Sequence, residues 1–425
     1  MASLRTIIIT FFSTLSFILS YGQSQTFIDS SDEIKILKNI KQLNYIDKKV
    51  KILTIPKRKY TSPLFCGEIE KYKDGFIINS TTSYDHRADI DFDTKYFYYN
   101  LLDKSIRKIN IVNADTIESI VSTGNAIFYS TIKNGKRVIG YLKDNLISVL
   151  NHQASSEISK HLDTAKWIKL GLEEGKLFVL SPNFLFQVSN NEWKLLTKYS
   201  IDDFYIKILK YKRSISMLPT KNIVIKNNFV YFLQEIVQGR SCNLFKLSIQ
   251  SGRLQDFFQS LDYKDAYFKV INDFTFLSDN SLLVSASRLM DEQIIINVKD
   301  ENVNIWSYNN FLTTTQNEKI VFPITTALSI ADTLVFASYK GFYIKEANDI
   351  KPLIYFENTH QTIKEKKWRI DFNFKPRCIK KLSEKIYLVG GIYGGLYQVD
   401  VFNGTIICLD DINYDKLKSI DISSF

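Results

Sequence analysis

Asp89, Asp91 and Asp93 alternate with Ile90 and Phe92, and carboxylates this close together could hold a calcium ion. Calcium loops also need a turn-forming glycine. None interrupts this stretch, and alternation with apolar residues reads better as a strand with an acidic face. In "HQASSEISKHLD" a short helix capped by Ser155 or Ser156 would set Glu157 and His161 one turn apart, suited to an acid-base or metal pair. A surface ion pair is the default for that spacing. Cys66 and Cys378 could form a disulfide in an oxidising compartment, although four cysteines this scattered make neither a disulfide framework nor a zinc site. The sequence holds no Gly-x-Ser-x-Gly elbow, no HExxH and no phosphate loop, and only four histidines are present to act as bases. We therefore assign no catalytic residue, no metal and no cofactor.

Aromatic and basic side chains in irregular stretches are the better candidates. Tyr84, His86, Arg87, Tyr205, Tyr211, Arg213, Tyr308, His360, Trp368, Arg369 and Tyr393 form the candidate ligand-binding set. Tyr and Trp offer flat apolar area with a polar tip, and Arg offers a planar fork for carboxylates. Such residues act only where a rigid frame holds them.

Seven apolar runs supply the frame: "GFIINS", "NAIFYS", "KLFVLS", "FVYFLQ", "SLLVSA", "TLVFAS" and "KIYLVG". Their last residues, at 80, 130, 181, 234, 286, 338 and 390, are 50, 51, 53, 52, 52 and 52 positions apart. A period near fifty is the mark of a repeat architecture. Each copy contains four short strand candidates, with turns such as "KDN", "SNN", "QSG" and "FNG" between the third and fourth. A lone four-stranded sheet of this kind is apolar on both faces. Stacking the sheets around an axis lets each cover its neighbours, which predicts an all-β fold, a β-propeller of seven four-stranded blades, with eight also open. A pair of β-sandwiches would not require equal steps.

Copies six and seven, "DTLVFASYKGFYIKEANDIKPLIYF" and "EKIYLVGGIYGGLYQVDVFNGTIICLDD", resemble the propeller repeats in the extracytoplasmic sensor regions of bacterial two-component regulators. Those repeats pair an apolar strand with a Gly-Leu-Tyr strand. The Trp and Gly-Thr usual in that family's second strand are absent from all seven copies. The resemblance implies a sensor-like role and, in a longer protein, a membrane helix with a kinase or DNA-binding output domain; neither is visible here, so the chain is either complete or the front part of such a sensor.

Arg5 followed by the apolar run "TIIITFFSTLSFILS", then Ser20 and Gly22, has the form of a signal peptide over residues 1–22. A membrane anchor is the competing reading of that segment. Residues 23–60 then form an extension contributing strands to ring closure, and 61–425 the propeller. The terminal strands are expected either to complete an eighth blade or to brace the seventh. The expected product is exported, without a transmembrane span once the signal is removed, and monomeric. The formal charge of +10 fits solvated lysines, and without a basic helix or finger motif it does not point to nucleic acid.

In a four-stranded meander, the second-to-third links and the blade-to-blade links emerge at the same end. The long links are concentrated there, including 202–219 and 358–376, so that face is the expected binding surface for a carbohydrate, peptide or protein. A polysaccharide-active enzyme and a scaffold of a cell-envelope assembly are the alternatives, and a pair of acids meeting only in three dimensions would be the signature of the enzyme.

Overall fold

The computed structural model describes residues 51–59, 66–82, 93–144, 146–200, 222–237, 241–257, 268–277, 279–288, 293–299, 302–307, 324–330, 333–338, 341–346, 349–357, 360–365, 368–373, 375–383, 385–392, 395–401, 403–411 and 417–424. Seven antiparallel meanders of four strands each make seven blades. Blade 1 runs from Cys66–Tyr72 to Ile106–Asn110, blade 2 from Thr116–Ser122 to Leu146–Val149, and blade 3 from Lys169–Glu173 to Glu192–Lys198. Blade 4 runs from Val224–Lys226 to Leu254–Asp256, and blade 5 from Phe268–Phe276 to Asn302–Ser307. Blade 6 runs from Ile324–Ile330 to Asp349–Glu357, and blade 7 from Lys375–Lys381 to Thr405–Cys408. The first strands lie innermost, beside one another around a closed ring in which blade 7 meets blade 1, except that the first strand of blade 5 lies beside the third strand of blade 4, Ser241–Ser248.

The period-2 alternation of each strand explains why the blades stack. On the second strand of blade 3, Phe178 and Leu180 join a cluster with Val230, Phe232 and Phe245 of blade 4. Leu177 and Val179 turn the other way, toward Ile139 and the rest of blade 2. Blade 4 repeats the device, with Tyr231 and Leu233 packing on Leu282 and Val284 of blade 5. The core is thus a series of apolar layers between blades. Fully burying one such side chain contributes about 1.5–3 kcal/mol.

Tight turns close the hairpins with the backbone they require. Asn190 and Asn191 (φ 50° and 66°), and Asn227 and Asn228 (φ 52° and 63°), have positive φ at both central positions. That is the mirror-image turn matching the twist of paired strands, and asparagine tolerates it better than most residues.

Among the described residues the terminal strands pair with the outer edges of blades 6 and 1. Lys51–Thr54 adds a fifth, parallel strand to the outer edge of blade 6, in register with Ile354–Glu357. Ser419–Asp421 adds a fifth, parallel strand to the outer edge of blade 1, in register with Lys108–Asn110. Among the described residues there is no eighth blade, and neither terminal strand pairs with blade 7. Leu53 and Ile55 enter the layer between blades 6 and 7, and Ile422 enters the layer between blades 1 and 2. Burial of these residues fixes the ends where they are.

The disulfide between Cys66 and Cys378 is also corrected. The first strands of blades 1 and 7 are neighbours, as that pairing required, but Cys378 is present as a thiol. Its sulfur lies 3.9 Å from the Gly390 carbonyl of its own blade, within an apolar layer that includes Leu388 and Leu396.

The link from blade 2 to blade 3 contains the helix Ser156–Thr164, capped by Ser155, whose side chain accepts the Ile158 N–H at 3.3 Å. Replacing Ser155 with alanine orphans that donor. Chemical denaturation should show a loss of about 1 kcal/mol, and hydrogen exchange should place it in this helix.

Candidate functional site

The candidate ligand-binding residues divide into two groups. Tyr84, His86, Arg87, Tyr205, Tyr211, Arg213, Tyr308 and Tyr393 lie outside the described residues, as do Asp89 and Asp91. Asp93 opens the third strand of blade 1. His360, Trp368 and Arg369 are described, and here the expectation of an irregular link is corrected. His360–Glu365 and Trp368–Asn373 pair as an antiparallel two-stranded hairpin between blades 6 and 7. His360 stands at its base, opposite Asn373, while Trp368 and Arg369 stand near its tip, opposite Glu365 and Lys364. A blade-to-blade link leaves a four-stranded meander at the end opposite its two tight turns, so topology puts the hairpin on the long-loop face.

Glu157 and His161 lie one turn apart as expected, with His161 Nε2 3.6 Å from Glu157 Oε1 and Glu157 largely exposed, a surface ion pair whenever the imidazole is protonated. The His161 ring lies 4.1 Å from that of Phe184, so it also packs on blade 3. Among the described residues no three His, Cys, Asp or Glu side chains gather closely enough to hold a metal ion.

A second cluster, near the ring axis, was not foreseen. Glu68 and Glu70 stand two positions apart on the innermost strand of blade 1, so they share one face. Asn222, just ahead of blade 4, reaches them: its backbone N–H donates to Glu68 Oε1 at 2.9 Å and its Nδ2 to Glu70 Oε1 at 3.3 Å. Glu70 Oε2 accepts the Ser122 N–H at 2.6 Å, and Glu68 Oε2 accepts Asn79 Nδ2 at 3.4 Å. Asn222 also donates to the Ile120 carbonyl at 2.8 Å and accepts from Ser119 Oγ at 2.7 Å. All four carboxylate oxygens are thereby occupied by donors. The arrangement is a lock, tying the end of the link between blades 3 and 4 to blades 1 and 2.

Burial and the neighbouring Glu68 push the Glu70 carboxyl up to about 8, against the opposing pull of the bonds from Ser122 and Asn222. Lys169, on the innermost strand of blade 3, donates to the Glu118 carbonyl at 3.2 Å, and burial draws its ammonium below the ordinary lysine value. The Glu118 carboxylate is held by Arg137 at 3.0 Å and by Ser130 Oγ at 3.1 Å. The signal for this cluster was the pair of acids in "CGEIEKY", a polar period-2 face on a strand otherwise read for its apolar residues.

No protein-family profile matches the sequence, and no curated protein matches it. Solved structures similar to it include the Dos1 propeller, at 13% identity over 84% of this chain and 87% of that one, with a TM-score of 0.41. The WD40 β-propeller domain of Doa1 shares 9% identity over 71% of this chain and 84% of that one, with a TM-score of 0.36. A 6-phosphogluconolactonase-like structure from Bacteroides uniformis shares 12% identity over 67% of this chain and 82% of that one, with a TM-score of 0.35. These likenesses carry no functional argument, and the propeller stands on its own strand pairing: seven four-stranded meanders closed into a ring.

Proposed function

We propose that the chain is an exported, non-enzymatic recognition propeller, sensor-like in role, that binds a carbohydrate, peptide or protein partner on its long-loop face. The observation that carries this reading is the asymmetry of the ring. One face is built from short, polar, tightly defined turns, whereas the other receives the longest links and the hairpin bearing His360, Trp368 and Arg369. Extended connectors on a rigid frame are where binding residues concentrate. Among the described residues no helix is long and apolar enough to cross a membrane, which accords with that reading without carrying it.

Arrays of glycans and peptides probed with the full chain test the proposal. A retained ligand whose binding falls by about tenfold or more in the Trp368→Ala/Arg369→Ala double variant, with the fold intact by circular dichroism, supports it. Binding that persists unchanged in that variant and moves instead with substitutions in the tight turns of the opposite face would overturn it.

A further inference from the structure

The hairpin between blades 6 and 7 is, among the described residues, a two-stranded sheet of its own rather than part of a blade. Its rungs run from His360–Asn373 to Glu365–Trp368, so alternation places Ile363, Trp368, Ile370 and Phe372 on one face. Thr362, Lys364, Arg369 and Asp371 fall on the other. Two features set this sheet apart from a self-sufficient one. An isolated two-stranded hairpin is marginal in water, and stable sheets add a third strand or a packed layer. Lys364 also stands directly across from Arg369. Like charges directly opposite oppose pairing, and a local conflict of this kind is expected where function requires it.

The backbone narrows what could relieve the conflict. In a hairpin closed by two residues the closing pair, Glu365 and Trp368, exchanges both main-chain bonds. Residues 362, 364, 369 and 371 then turn their N–H and C=O groups to the two edges. We infer that this hairpin takes up an extended acidic peptide segment of a partner protein, which joins one edge as a third strand and sets its carboxylates beside Lys364 and Arg369. This rests on the reading of the long-loop face as the binding face, and specifies its partner. A polypeptide matches the repeat of donors and acceptors along a strand edge, as a sugar chain does not. A lipid surface fits less well, because Glu365 shares a rung and a face with Trp368 and would be carried into the membrane with it.

The test uses the full chain and a fluorescent ten-residue peptide of alternating Val and Glu, with a Val-Lys peptide as control, read by fluorescence anisotropy and by amide exchange of 360–373. Saturable, salt-sensitive binding of the acidic peptide alone is expected, with slowed exchange across the hairpin. Lys364→Glu/Arg369→Glu should weaken that binding by about tenfold or more and transfer preference to the Val-Lys peptide, a gain that misfolding cannot mimic. Failure of the acidic peptide to bind, an unchanged preference in the double variant, or unaltered exchange at 360–373 would overturn the inference. Polygalacturonate and anionic vesicles separate the two readings. If either binds through Trp368 while the acidic peptide does not, recognition at this face stands and the peptide partner falls; if no probe or array ligand responds to hairpin variants, both fall.

Discussion

Replacing Arg58 with alanine should cost the ring about 3–5 kcal/mol, the range for breaking one side of a buried ion pair. Arg58 Nη1 donates to Asp410 Oδ1 at 2.6 Å, and Nη2 to the Asp410 carbonyl at 2.9 Å, with both side chains fully buried. Burial disfavours the guanidinium charge, but the attraction and hydrogen bond of Asp410 outweigh it and raise the pKa above the ordinary arginine value. The pair joins residues 352 positions apart, and its place is the seam of the ring. Arg58 follows the strand that braces blade 6, Asp410 follows the last strand of blade 7, and the chain continues from Arg58 into blade 1. Loss of Arg58 leaves a carboxylate in the interior, and the seam is where the structure should yield. Exchange should accelerate first at 51–59 and in the first strand of blade 1. Arg58→Met/Asp410→Asn removes both charges yet keeps an acceptor for the Leu396 N–H, which Asp410 Oδ1 now accepts at 2.8 Å. That double variant should recover more than half of the loss. A denaturation midpoint for Arg58→Ala close to that of the parent would show that the seam is held by its apolar layer alone. Gly395→Ala should resemble Arg58→Ala, because φ is +82° there and a Cβ would lie 2.1 Å from Arg58 Nη1.

Gly395 shows how far the sequence could be read. The paired glycines in "IYGGLY" were visible, but the arginine that requires the second of them comes from the other end of the chain. The seven apolar runs could be placed because each is a local event. A period-2 apolar strand between polar turns identifies itself, and all seven became second strands, among them Lys176–Leu180 and Thr333–Ser338. The terminal strands could not be assigned to a blade. Lys51–Thr54 has only four residues, and every blade offers an outer edge of similar pattern, so the choice is made by the burial of Leu53 and Ile55. The hairpin was missed for a different reason. "HQTIKE" and "WRIDFN" alternate as strands should, but four strands already fill the repeat, and the sequence pattern leaves the extra pair as a link. Of the candidate contacts, His360, Trp368 and Arg369 therefore gained a regular frame. The adjacency of Trp368 and Arg369 in sequence also becomes separation onto opposite faces once they lie on a strand. The axial lock was out of reach for a third reason. Glu68, Glu70, Ser122 and Asn222 come from two blades and from the link between two others, and no spacing along the chain records which of them meet near the axis.

That lock carries the second large effect, a dependence of stability on pH that Glu70→Gln should abolish. The Glu70 carboxyl is held at about 8 in the folded chain, first by burial and then by Glu68, against an ordinary value of 4.5. Its folded value is raised, so its contribution is complete below about pH 4.5, declines as pH rises, and is gone above about pH 8. The steepest slope is about 1.4 kcal/mol per pH unit. The charged groups facing it bear on how the lost proton is tolerated. Glu68 on its own strand opposes a new negative charge, whereas Lys380 on blade 7 favours it. Surface carboxylates act in another window. Asp279, drawn down to about 2 by Ser281 and Lys299, contributes stability that is lost only as pH falls toward that value. Lys169 acts with the opposite sign to Glu70, because its folded value is lowered and its effect is to raise stability with pH below the ordinary lysine value. The informative quantity is therefore the difference between the parent and Glu70→Gln, measured by urea denaturation at intervals from pH 4.5 to 8.5. Gln places an N–H₂ where both oxygens now accept, so the variant should be the weaker of the two at pH 4.5. The two curves should converge as pH rises, because only the parent loses stability on ionising. Parallel curves across the whole interval would mean that the carboxyl is already ionised at low pH, and that the lock holds Asn222 by charge rather than by a retained proton.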